Sequence, residues 1–179
     1  MEVIKTDIDG VLILKPRVFR DSRGYFFESF SKKDFDDIIP GVDFVQDNES
    51  MSVRNVVRGL HFQKPPYSQA KLVRVVKGRI LDVAVDLRKG SPTYGKHVSV
   101  ELSDENKLQV FIPKGFAHGF SVLSQEAVFQ YKGDEFYVPG SEGSIKWNDP
   151  DLCIEWNVSE YDAIVSPKDQ VAPLLKDIE

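Results

Sequence analysis

The chain has 179 residues, 41% of them hydrophobic, and a formal net charge of −5. That length supports one domain with a well-buried core and is short for two, so residues 1–179 are expected to form a single domain. The acidic balance offers no clustered basic excess for nucleic acid or an anionic membrane surface, so any cation used for function belongs to a local site.

No apolar run approaches the roughly 20 residues that span a bilayer. The start Met1-Glu-Val-Ile-Lys-Thr-Asp7 does not have the form of a signal peptide, and the expected location is the cytoplasm. Ser31 to Ile39 is the one clear helix candidate, with Ser31 as N-cap, acidic residues in its first turns and Pro40-Gly41 as its stop. Asn55-Val-Val-Arg-Gly-Leu-His-Phe-Gln63 reads as strand and carries one of only three histidines beside an arginine.

From there the pattern has period two. Leu81, Val83, Val85 and Leu87 share one strand face, and Asp82, Ala84 and Asp86 share the other. Val98, Val100 and Leu102 repeat the alternation, Ser103 to Asn106 forms a polar turn, and Leu108 to Ile112 starts the next strand. Turns recur at Lys77-Gly78, Lys89 to Pro92, Pro113 to Gly115 and Pro139-Gly140. Many short strands around one small helix predict an antiparallel sandwich or barrel. The lone cysteine, Cys153, excludes an internal disulfide and is expected to be buried as a small hydrophobe. The irregular stretch from about Asn157 is expected to pack as a helix or loop over one end of the barrel.

Two chemistries suit the histidines. Pro113-Lys-Gly-Phe-Ala-His118 has the form found in metal-binding cupin barrels, but the partner half, His61-Phe-Gln63, has glutamine where a second histidine belongs, and His97 stands in an edge or turn context. No metal site is expected. Metal-free acid/base catalysis instead needs a carboxylate to orient His61 and an acid across the substrate. Asp82, Asp86 and Asp169 are all candidates for the first role and Tyr131 for the second, and spacing does not choose among the carboxylates. A lone strand histidine is also a common hydrogen-bonded structural residue. Its neighbour Arg58 points the other way, because a buried guanidinium wants an anion, and Arg23, Arg58 and Lys71 together suit a diphosphate or carboxylate.

Ordered blocks across almost the whole length resemble the dTDP-4-dehydrorhamnose 3,5-epimerase family of the cupin superfamily. They run from Phe19-Arg-Asp-Ser-Arg-Gly-Tyr-Phe-Phe-Glu-Ser-Phe30 through Gln46-Asp-Asn-Glu-Ser-Met-Ser52 and Arg58-Gly-Leu-His-Phe-Gln63 to Lys71-Leu-Val73 and Asp82 to Arg88. They continue with Gly90 to Gly95, Ile112 to Phe120, Trp147-Asn-Asp-Pro150 and Lys168-Asp169.

The resemblance implies an all-β fold, a cupin-type jelly-roll β-barrel with a few short peripheral helices. It implies His61 as base, Asp169 as its partner, Tyr131 as acid and Lys71 near the sugar's keto oxygen. Arg23, Glu28, Gln46, Asn48, Arg58, His118, Glu142 and Lys168 are the implied substrate-binding residues for a dTDP-sugar, with no cofactor. It further implies a homodimer whose N-terminal strands contribute to the partner's site. The implied reaction is inversion at C3 and C5 of dTDP-4-dehydro-6-deoxy-D-glucose on the route to dTDP-L-rhamnose. The alternatives are a single-centre epimerase or ketoisomerase of a related sugar nucleotide, or a binding module that has lost the chemistry. One departure is Phe136-Tyr137, where the family usually carries a tyrosine pair.

Overall fold

The alternating segments form fourteen strands and two short helices in the computed structural model, which describes residues 1–178. The strands are β1 (Glu2–Lys5), β2 (Leu12–Lys15), β3 (Phe19–Asp21), β4 (Gly24–Phe26), β5 (Gln46–Val53), β6 (Val56–Gln63), β7 (Lys71–Lys77), β8 (Arg79–Asp86), β9 (His97–Ser103), β10 (Gln109–Ile112), β11 (Phe116–Val122), β12 (Glu126–Gly133), β13 (Glu142–Ser144) and β14 (Ile164–Val165). The helices are α1 (Lys32–Ile38) and α2 (Pro167–Gln170).

One sheet has the order β1-β2-β10-β7-β12-β5, and the other β13-β6-β11-β8-β9 with β14 added in parallel to β6. The strands β3 and β4 pair only with each other, as a separate hairpin. The crossovers between the two sheets make a jelly roll, the all-β architecture expected of a cupin. Its two sheets pack face to face over a shared interior of Val73, Val75 and Phe129 from one and Ile80, Phe116 and Phe120 from the other.

Strand β8 shows how the alternation is spent. Ile80 and Ala84 join that interior, which puts Asp82, on the same face, in the lumen as well. Leu81, Val83 and Val85 point outward, yet they are buried, because Ile145, Trp147, Leu152 and Trp156 cover them. The apolar row Leu81, Val83 and Val85 therefore belongs to a second core behind the sheet.

The segment after Asn157 joins this second core through Ala163, Val165, Leu175 and Ile178, so it covers the outer face of the sheet rather than an end of the barrel. Helix α1 covers the outer face of the other sheet, where Phe35 and Ile39 meet Leu14, Leu72 and Phe111. Ser31 occupies the N-cap position with extended backbone, but its side chain makes no capping bond. Cys153 is exposed, against expectation: it sits at φ 49° in a tight turn that projects its thiol toward the carbonyl of Pro150, 3.1 Å away, instead of into either core. No helix among the described residues is long and apolar enough to cross a membrane.

Candidate active site

Strand period two would put Arg58 and His61, three residues apart, on opposite faces of β6. A bulge brings them to the same face: His61 pairs with His118 and Arg58 with Phe120, with a register shift between. Glycine is required at the bulge, since Gly59 has φ 120° and a Cβ there would lie 2.6 Å from Cα of Gly119. The same kink turns the Gly59 amide toward Asp169, whose Oδ2 accepts from it at 3.4 Å.

Asp169 is the carboxylate that meets His61. Its Oδ1 lies 2.6 Å from Nε2 of a ring that is one-third exposed, while the Asp169 side chain is 4% exposed. Ser166 caps α2 by accepting from the Asp169 amide, and so holds the backbone that carries the acid. Burial would raise the Asp169 carboxyl, but the bonds from His61 and the Gly59 amide outweigh it and keep the group below the usual carboxylate range. An ionised Asp169 accepts only, so the proton on that edge of the ring belongs to Nε2 and Nδ1 is left unprotonated on the other edge.

The two other candidate acids are engaged elsewhere. Asp82 bonds Nε2 of His118 at 2.7 Å, with both side chains buried. Asp86 accepts from the Arg88 guanidinium, Ser91 and Thr93, which hold its carboxyl far below the usual range despite burial. Gln63 spends its side-chain amide on the loop, donating to the carbonyls of Tyr67 and Phe136 and accepting from the amide of Val138. Among the described residues no three His, Cys, Asp or Glu side chains converge as metal ligands.

Across the lumen, β7 and β12 present Lys71 and Tyr131, whose ammonium and ring centroid are 5.6 Å apart. Burial pushes the Lys71 ammonium down to about 8, and the charges of Asp82 and Glu142 oppose that fall. Burial, with Tyr137 and Glu142 nearby, raises the Tyr131 phenol, so it stays protonated at neutral pH. His61 and Tyr131 thus stand on opposite sheets of one lumen.

The mouth is polar. Tyr131 is the cross-strand partner of Asn48, whose Oδ1 accepts from Gln46 at 3.0 Å and whose Nδ2 is buried without a partner. Glu142 accepts from Tyr137 Oη at 2.9 Å and Lys168 Nζ at 2.5 Å; burial opposes ionisation, and these two donors hold its carboxyl low. Arg58 is exposed at the end of the lumen, and its Nε donates to Ser52 Oγ at 3.0 Å.

Two expected residues are not in this lumen. Arg23 sits at the tip of the β3–β4 hairpin with 88% of its side chain exposed and its guanidinium on Asp21. Glu28 follows that hairpin and lines a cavity with Met1, Arg17, Phe19 and Phe26. The structure also adds the Ser166 cap and the Tyr137 hydroxyl, which the residue patterns did not single out, and it gives Asp82, a candidate partner for His61, to His118 instead.

The sequence matches the family described as dTDP-4-dehydrorhamnose 3,5-epimerase over residues 5–177. It is 56% identical over 176 residues to the dTDP-4-dehydrorhamnose 3,5-epimerase of Salmonella typhimurium, covering 98% of this chain and 96% of that one. The crystal structure of dTDP-4-dehydrorhamnose 3,5-epimerase from Elizabethkingia anophelis superposes with a TM-score of 0.94 at 54% identity, covering 99% of this chain and 97% of that one. The dTDP-6-deoxy-D-glucose-3,5-epimerase of Legionella pneumophila, solved in complex with dTDP-4-keto-L-rhamnose, superposes with a TM-score of 0.96 at 49% identity, over 99% of this chain and 94% of that one.

Proposed function

The chain belongs to the dTDP-4-dehydrorhamnose 3,5-epimerase family, and from that membership we infer that it is an isomerase inverting C3 and C5 of dTDP-4-dehydro-6-deoxy-D-glucose to give dTDP-4-dehydro-L-rhamnose. The observation that carries its mechanism is the His61–Asp169 pair facing Tyr131 and Lys71 across the lumen. The C4 ketone acidifies the hydrogens on C3 and C5, so a base suffices to remove each one.

His61 takes the proton on Nδ1, and Asp169 stabilises the imidazolium that forms. The electron pair moves onto the C4 oxygen, where the Lys71 ammonium meets a negative charge that grows toward the transition state. Tyr131 then delivers a proton to the opposite face of the same carbon, and the enolate collapses to the ketone with inverted configuration. Base and acid each contribute on the order of 10² to 10⁴ in rate. His61 then gives its proton to solvent and the Tyr131 phenolate takes one from solvent, which restores base and acid, and the cycle repeats at the second carbon with no net change in protons or electrons.

For binding, Arg58 supplies a bidentate donor for the diphosphate, and the unpaired Asn48 amide, Gln46, His118, Glu142 and Lys168 supply polar contacts around the sugar nucleotide. We extend the reading to a homodimer formed by one-domain protomers in the cytoplasm. The β3–β4 hairpin carries Phe19, Tyr25 and Phe26, each at least half exposed, and holds Arg23, with Glu28 after it, outside its own lumen. A partner's lumen accounts for both features. Mixing inactive Arg23→Ala with inactive His61→Ala protein should restore a fraction of activity, because one site of the mixed dimer is intact.

The reaction is tested by incubating the protein with dTDP-4-dehydro-6-deoxy-D-glucose in D₂O. Deuterium at both C3 and C5 of the product is expected. Label at one carbon would make it a single-centre epimerase, and no label would remove the enzymatic reading.

A further inference from the structure

The three carboxylates that could partner a reaction histidine differ in how they are satisfied. Asp86 has an arginine and two hydroxyls, and Asp169 has His61, a backbone amide and a serine-capped helix behind it. Asp82 is 2% exposed, sits on the strand face of Ile80 and Ala84, and has His118 as its one side-chain hydrogen-bond partner among the described residues.

A buried carboxylate with a single imidazole partner is a poor way to stabilise a fold. Desolvating both groups costs several kcal/mol, which the attraction between them rarely repays, and well-packed apolar replacements of such pairs are often neutral or stabilising. The surroundings would accept such a replacement, since Phe120 is the cross-strand neighbour of Asp82 and the His118 ring stacks on Phe129 at 5.8 Å. The pair is better explained by what lies in front of it. His118 is directly opposite His61 across β11 and β6, and the Asp82 charge acts on the Lys71 ammonium from the opposing sheet.

We propose that Asp82 is a positioning residue for the epimerisation: its buried carboxylate orients His118 through the 2.7 Å bond and provides the negative charge that faces the Lys71 ammonium. This rests on the reading of Lys71 as the group that meets the enolate. By holding the proton on Nε2 of His118, Asp82 directs the free Nδ1 edge of that ring to the sugar side. The charged groups that act on Lys71 are Asp82 from β8 and Glu142 from β13, and the Tyr131 ring from β12 lies 5.6 Å from its ammonium. Removing the Asp82 charge leaves desolvation less opposed, so the ammonium loses its proton at a lower pH.

The test is the pH profile of kcat for Asp82→Asn, which keeps the shape and an acceptor for His118 but removes the charge. Parent activity should decline as pH rises through about 8, where Lys71 deprotonates. In Asp82→Asn the decline should begin at lower pH, kcat at pH 7 should fall by about tenfold or more, and dTDP affinity should change by less than about twofold. The double variant Asp82→Leu/His118→Leu should melt at or above the parent temperature while losing turnover. An Asp82→Asn enzyme with the parent profile, or a double variant that no longer melts cooperatively, overturns the proposal. A parent inactive on the 4-keto sugar nucleotide would remove the underlying reading instead, which separates the two failures.

Discussion

The two faces of the β6–β11–β8 sheet are built from the same strands and put to opposite uses. Facing the lumen are His61, His118 and Asp82; behind them, one residue away in each strand, are Leu60, Ala117 and Val83, sealed under Ile145, Trp147 and Trp156. The rear face has little polar to satisfy and concentrates apolar burial. The lumen face carries an imidazole–carboxylate pair in each of two places, opposite a lysine whose ammonium burial destabilises. Stability and chemistry are thus separated by the pleat of the sheet rather than by distance along the chain, and one register slip would exchange them.

That separation can be broken from either side. The largest expected effect is on the lumen face, where His61→Ala should lower kcat by about 10² to 10⁴ while dTDP affinity and melting temperature stay near those of the parent. Steady-state kinetics with calorimetry for dTDP checks both halves. On the rear face Ile145→Ala, at a fully buried position, should cost ~2–5 kcal/mol in denaturant unfolding and leave kcat/KM of the folded enzyme within about threefold. Activity lost in proportion to chemistry rather than folding would show that the faces are not independent. A smaller and different effect is expected at the mouth: Arg58→Ala should raise KM with little change in kcat, by ~1.5–3 kcal/mol of lost charge-assisted binding, seen also as weaker diphosphate affinity.

The comparison also explains what could be read from the residues. Alternation in Leu81–Leu87 was sufficient to place Asp82 and Asp86 on one face, and the turn signals were sufficient for a sheet-rich fold with one clear helix. Which face looked inward was not legible, because the outer row is buried by residues 145–156, far along the chain. The pairing of His61 with Asp169 spans 108 positions, and only the family resemblance pointed to it; spacing left Asp82 and Asp86 equally open. Asp86 turns out to be satisfied locally, by residues 88 to 93, and Asp82 by His118 on the neighbouring strand. The shared face of Arg58 and His61 depends on a bulge at Gly59, which strict period two excludes. Cys153 misled because composition speaks for burial, whereas a left-handed turn decided its direction.

The account stands on the division of labour between His61 and Tyr131 across the lumen, and isotope exchange in Tyr131→Phe tests it most directly. With the substrate in D₂O this variant should still take deuterium into carbons beside the ketone, because the His61–Asp169 base is intact, but should return substrate with configuration retained and form little epimerised product. His61→Asn run in parallel should show neither exchange nor inversion. Inversion at the parent rate in Tyr131→Phe, or deuterium exchange at the parent rate in His61→Asn, would contradict the assignment of base and acid to opposite walls.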